Sequence, residues 1–184
     1  GARTSSSQVH RELASSVYFP VGFKNHTDGS LEDAIHGVLS AKEKQTFMSI
    51  NQEGIACAFQ SAGNPHTHLV LRGSHQGINY DSKSIKTALK KLAAVNLPQR
   101  IIVDCAHDNC EKQFLKQKNV FQSVLKQIST GRDEILGVII ESHLKEGNQI
   151  LEPDKLEFGL SITDPCLNWE TTAELISQAN CAMC

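Results

Sequence analysis

Ile101-Ile102-Val103-Asp104-Cys105-Ala106-His107 (IIVDCAH) is the stretch on which the fold turns. It is mostly apolar and β-branched at its start, and a histidine follows. That is the pattern of a strand buried on both faces that delivers one reactive side chain at its end. Three other runs are built the same way. PVGFK (20–24) ends in Lys24, HLVLR (68–72) in Arg72 and GVIIE (137–141) in Glu141. The last two intervals are 35 and 34 residues, while 48 separate Lys24 from Arg72. Each interval has room for a helix, so the chain reads as repeated βα units carrying a parallel sheet with helices outside it.

The segments between the runs support this. Ser5-Ser6-Ser7-Gln8 has capping-box spacing, and Val9, Leu13 and Val17 predict a helix over about Ser6 to Ser16. A second helix is expected from about Leu31 to Ala41. The longer first interval contains Phe47 to Ile50 and Ile55 to Phe59 around Asn51-Gln52-Glu53-Gly54, which reads as an inserted hairpin. Ser82 is expected to cap a helix whose Ile85, Ala88, Leu89 and Leu92 share a face. A long helix carrying Phe114, Phe121, Val124, Leu125 and Ile128 is expected to stop at Gly131. After a loop of about 25 residues, Trp169, Ala173, Ile176 and Ala179 mark a final amphipathic helix. Turn chemistry at Asn25-His26-Thr27-Asp28-Gly29 follows the first strand run.

The bulk composition narrows the function. The chain has 184 residues, 40% hydrophobic, and a net charge of −2, so no global field draws in nucleic acid or an anionic membrane. Only 5% of residues are aromatic, too few for a base-stacking surface. No apolar run approaches a membrane span, and the start has no signal-peptide pattern. The six cysteines are scattered. Cys57 and Cys105 lie in apolar runs and are expected to be buried thiols, and Cys181 to Cys184 is a single C-x-x-C pair, short of the four ligands of a closed zinc site. A reducing, cytoplasmic setting fits this usage.

A lone Lys, Arg, His or Glu at a strand end is commonly a solvated exit or a hydrogen-bonded core residue. Four in register on parallel strands converge on one rim, where barrel enzymes keep their chemistry. The charges there sort into two sets. Arg3, Lys24 and Arg72 lie near small or glycine-rich turns and suit a phosphate. His107, Glu141 and Asp164 suit a divalent metal such as Mn, Fe, Co or Zn, with a position open for substrate and no bar to a fourth ligand. A metal beside a phosphate pocket points to carbonyl chemistry on a phosphorylated substrate.

GART (1–4), SQVHRELAS (7–15), PVGFKN (20–25), LRG (71–73), VDCAH (103–107), IIESHLKEGNQ (139–149) and SITDPCLNWE (161–170) closely resemble the type I 3-deoxy-D-arabino-heptulosonate 7-phosphate (DAHP) synthases, also called phospho-2-dehydro-3-deoxyheptonate aldolases. The resemblance is collinear over nearly the whole chain. It implies a metal-dependent (β/α)8 barrel, dimeric or tetrameric when complete, that opens the shikimate route to aromatic amino acids. Such enzymes condense phosphoenolpyruvate with erythrose 4-phosphate and release phosphate. Arg3, Lys24 and Arg72, with the Gly1-Ala2 backbone, would hold the enolpyruvate phosphate. His107, Glu141 and Asp164 would be metal ligands, and Lys24 and His107 would be the catalytic pair.

The departures from that family are specific. Its Ser-His-Gly-Asn or Ser-His-Ala-Asn stretch is Ala106-His107-Asp108-Asn109 here, which adds a carboxylate beside a metal ligand. His26 replaces a glycine, and it is strained if that backbone needs positive φ. The family's fourth metal ligand, a cysteine, and its substrate-binding Lys-Pro-Arg-Thr segment have no counterpart in this sequence, and about four strands are present where closure takes eight. Residues 1–184 are therefore expected to form one partial domain, the C-terminal half of the barrel, inactive as an isolated chain and with an unpaired sheet edge. The alternative is a non-catalytic half-barrel that binds a phosphometabolite or a partner subunit.

Overall fold

A computed structural model describes residues 5–183 of the chain. The elements run α1 (Gln8–Ser16), β1 (Gly22–Lys24), α2 (Glu32–Lys42), β2 (Thr46–Ile50), β3 (Ala56–Gln60), β4 (His68–Leu71), α3 (Ser82–Ala94), β5 (Ile101–Asp104), α4 (Gln117–Ser129), β6 (Ile135–Ile139) and α5 (Trp169–Met183). Strands β1, β4, β5 and β6 form one sheet in that order, all parallel. β2 and β3 form a separate antiparallel hairpin. The expected βα repeat is present, with the hairpin inserted between α2 and β4.

The core follows from the apolar runs. Phe23, Leu69, Leu71, Ile101 and Val103 are fully buried on the strands, and Ile85, Leu92 and Val124 meet them from the helices. Each such side chain contributes about 1.5–3 kcal/mol of burial. Gly37 lets α2 approach β1 closely, since a Cβ there would lie 2.5 Å from the Phe23 ring. Inner strands are better covered than outer ones. β4 and β5 are largely buried, whereas β6, paired only with β5 among the described residues, is mostly half-buried and exposes Leu136. Among the described residues β1 and β6 are the outer strands of the sheet, each paired on one side, as the unpaired edge read from the sequence requires.

Several local expectations fail for physical reasons. The capping box does not form among the described residues: Ser7 is the N-cap of α1 with no side-chain bond to the helix backbone, and Ser5 Oγ donates instead to the Lys24 carbonyl at 2.7 Å. Val9 and Leu13 are exposed, and α1 buries Ala14 and Ser15 instead. On α5, Trp169 and Ile176 are likewise exposed while Leu175 is buried. Helical spacing finds a stripe of large apolar residues but does not say which surface it faces. Phe114 lies in a 3₁₀ turn ahead of α4 rather than in the helix. Cys105 is buried as expected, but Cys57, on the hairpin, is only half-buried. His26 does not take positive φ, and the turn places that conformation at Gly29 (φ 89°).

The cap of α3 is Asp81, not Ser82. Its carboxylate accepts from the Lys83 and Ser84 backbone N–H groups at 2.9 and 3.1 Å and from the Ser84 hydroxyl at 2.5 Å. Partial burial pushes its pKa up, but these hydrogen bonds outweigh that and hold it below the ordinary carboxylate value. Asp81→Ala should cost about 1 kcal/mol in urea unfolding. A group with a depressed folded pKa stabilises fully above its unfolded pKa, and that contribution is lost as pH falls through the folded one. The stability difference between wild type and variant should therefore shrink in strong acid.

Candidate active site

The C-terminal ends of the four parallel strands carry the site. Lys24 closes β1, Arg72 follows β4 and Asp104 closes β5, while His107 and Glu141 lie just past β5 and β6. Asp164 comes from the loop before α5. Arg72, His107, Asp108, Glu141 and Asp164 line one cavity of about 440 Å³. Gly1, Ala2 and Arg3, expected to hold phosphate, lie outside the described residues. So does Cys184 of the C-x-x-C pair.

Buried amides hold the rim. Asn25 accepts from the Arg72 backbone N–H at 2.7 Å and donates to its carbonyl at 3.1 Å. Gln117, on α4, does the same for Glu141, accepting from its N–H at 2.9 Å and donating to its carbonyl at 3.3 Å. Asn109 donates to the Asp104 carbonyl at 2.7 Å and accepts from the Asn79 N–H at 2.7 Å. Each amide satisfies backbone groups at a βα exit that the sheet ladder leaves unpaired. Gly73 lets the 3₁₀ turn His107–Cys110 pack on the exit of β4, since a Cβ there would fall 2.2 Å from the Asn109 nitrogen. The 142–168 loop is tied down by Leu167 N–H to the Glu141 carbonyl at 3.0 Å and by the Gly147–Cys166 bridge.

Asp104 is the residue the sequence reading passed over. Its side chain is 0% exposed, and its Oδ2 lies 2.6 Å from Lys24 Nζ and 3.0 Å from His107 Nδ1. Its Oδ1 accepts from the Ala106 N–H at 2.9 Å. Burial alone would raise its pKa, but the His107 contact and the Lys24 charge outweigh it and hold the carboxyl at about 2. The available signal was a lone carboxylate inside an otherwise apolar strand run, three residues before the histidine.

His107 adopts φ 58°, unusual for a non-glycine residue. Such a conformation costs on the order of 1 kcal/mol and persists where the surroundings over-determine it. Here it turns one ring nitrogen to Asp104 and the other to the cavity. Nε2 is 3.3 Å from Glu141 Oε1 and 3.8 Å from Asp164 Oδ2. Both ring nitrogens are buried yet aligned in no hydrogen bond with any of the described residues. One ligand atom from each of His107, Glu141 and Asp164 falls within 4.8 Å of the others. A buried, unsatisfied imidazole nitrogen facing two carboxylates fits a divalent cation, and Asp104 behind the ring is the carboxylate that fixes a ligand histidine's orientation. Burial raises the Glu141 pKa, with neighbouring Asp164 and Asp104 adding to it against the opposing pull of His107 and Lys24. Like-charge crowding of this kind is relieved by a cation.

The sequence-predicted residues thus divide. His107, Glu141 and Asp164 come together as read, and Arg72 shares their cavity. Lys24 reaches the group through Asp104 and does not line the cavity itself.

The chain matches the DAHP synthetase I family over residues 1–177. It is 44% identical over 97% of its length to a phospho-2-dehydro-3-deoxyheptonate aldolase of Alternaria alternata, of which it covers 48%. It is 43% identical over 96% of its length to a Trp-sensitive aldolase of that name from Enterobacter agglomerans, of which it covers 51%. The solved phospho-2-dehydro-3-deoxyheptonate aldolase of Francisella tularensis SCHU S4 superposes with a TM-score of 0.92 at 36% identity, covering 99% of this chain and 53% of that one. The chain therefore spans about half the length of these relatives, and its four βα units correspond to a half-barrel. Matched from its first residue to its last helix in one collinear order, the chain belongs to the DAHP synthetase I family.

Proposed function

We propose that residues 1–184 form one partial barrel domain and carry three of the metal ligands and part of the phosphate-binding set of a DAHP synthase site. The complete site condenses phosphoenolpyruvate and erythrose 4-phosphate, with water, to DAHP and phosphate. The observation that carries this reading is the approach of His107 Nε2, Glu141 and Asp164 on the rim that also presents Arg72.

Arg72 binds the enolpyruvate phosphate with Lys24 and Arg3, and its Nε is a buried donor without a hydrogen-bond partner among the described residues. Lys24, held by Asp104, also sits near the carbon that loses phosphate and offsets the charge developing there. His107, Glu141 and Asp164 hold the divalent metal, which when bound polarises the erythrose aldehyde as a Lewis acid. Asp104 keeps the His107 ring turned so that Nε2 is the free nitrogen. The metal is Mn, Fe, Co or Zn. The complete protein is a cytoplasmic homo-oligomer, dimer or tetramer; among the described residues no helix is long and apolar enough to cross a membrane.

The test is phosphate release from phosphoenolpyruvate, with and without erythrose 4-phosphate and Mn, by the barrel completed with the half its relatives add. Release should require both additions, and Arg72→Ala should raise KM for phosphoenolpyruvate at least about tenfold, the loss of one charge-assisted contact. Release independent of erythrose 4-phosphate, or an unchanged KM, contradicts the proposal.

A further inference from the structure

We infer that Asp108 is an internal competitor for the anion site at Arg72, a carboxylate that occupies the guanidinium a substrate phosphate must take. The inference rests on the reading of Arg72 as a phosphate ligand. Asp108 Oδ2 lies 3.4 Å from Arg72 Nη2, and Oδ1 lies 3.8 Å from Lys112 Nζ. Apart from the His107 imidazole, Arg72 and Lys112 are the only basic side chains among the described residues lining the cavity, and Asp108 pairs with both. Lys24, outside the lining, is paired with Asp104. Every described cation of the rim is thus matched by a carboxylate of this chain before any ligand arrives.

The pairing is built into the fold. Asn25 fixes the Arg72 backbone, Gly73 admits the His107–Cys110 turn against it, and Asn109 pins that turn to Asp104. The Asp108 side chain is only 13% exposed, so with no anion bound its carboxylate is held beside the guanidinium. The pair is incomplete, however. It is long and single rather than bidentate, and among the described residues Arg72 Nε has no hydrogen-bond partner. Such a contact satisfies the guanidinium partly, and an anion able to reach Nε can displace it. Lys112, with a side chain 71% exposed, is placed to take the displaced carboxylate. Asp108 therefore weakens anion binding without abolishing it.

The experiment measures inorganic phosphate binding to the full chain by calorimetry, with chelator present so that no metal recruits the anion. Asp108→Asn and Asp108→Ala should each lower the phosphate Kd about tenfold relative to wild type, as removal of one like charge from a partly buried site does. Adding Arg72→Ala to Asp108→Asn should cancel the gain. Tightening is not produced by damage to the fold, and near-UV circular dichroism of both variants checks that they fold. An equal or weaker Kd in both variants, or a gain that survives Arg72→Ala, overturns the inference. If phosphate tightens as expected but the completed barrel forms no DAHP, the synthase reading fails while the competitor role stands. If DAHP forms and phosphate does not tighten, the reverse holds.

Discussion

His107→Ala should strip the chain of divalent metal. Mn affinity, followed by the loss of free-ion signal in electron paramagnetic resonance, is expected to fall by more than about 100-fold, since removing a second-shell partner alone costs roughly 10–100-fold. Turnover of the completed barrel should fall to background with it. The effect would be large because Nε2 would be the one imidazole ligand beside two carboxylates, Glu141 at 3.3 Å and Asp164 at 3.8 Å. Without it, those two groups remain as a looser pair, one of them with its side chain 53% exposed. Retention of tight Mn binding would exclude His107 as a ligand.

Asp104→Asn should be the most damaging of the substitutions outside the proposed ligand residues themselves. It breaks a buried ion pair and leaves the Lys24 ammonium, 16% exposed, without its counter-charge. A loss of about 3 kcal/mol in urea unfolding is expected. Combining it with Lys24→Met should recover part of that loss, because the stranded charge is then gone as well. The pH dependence follows the same pair. With a folded pKa of about 2 against an ordinary 3.8, Asp104 stabilises the metal-free chain fully above about pH 4, and this is lost as pH falls through about 2. The shift corresponds to stability on the order of 2 kcal/mol. An Asp104→Asn chain as stable as wild type at neutral pH would show that the pair contributes nothing.

Much of the fold was legible because it is carried by period and run length. Apolar runs bounded by polar exits located β1, β4, β5 and β6, and their spacing implied parallel pairing. Lys24, Arg72, His107 and Glu141 were legible as candidates because they sit at the ends of those runs. What escaped reading is mostly long-range. Asp104 looked like part of a strand, and its importance arises from Lys24, 80 residues away in the chain. Asn25, Asn109 and Gln117 are ordinary amides until the fold turns them onto the rim's backbone. The exposed faces of α1 and α5 could not be assigned by spacing, because which side of an amphipathic helix is covered depends on what packs there. The Ser5 cap did not form, its hydroxyl donating instead to the Lys24 carbonyl at the end of β1.

One metal and one phosphate are proposed to share the rim of this half-barrel. Anomalous diffraction at the manganese edge, from crystals of the chain soaked with Mn and phosphoenolpyruvate, tests it directly. One peak is predicted within coordination distance of His107 Nε2, Glu141 and Asp164, with phosphate density against Arg72. A peak on other residues, or phosphate bound away from Arg72, would contradict it.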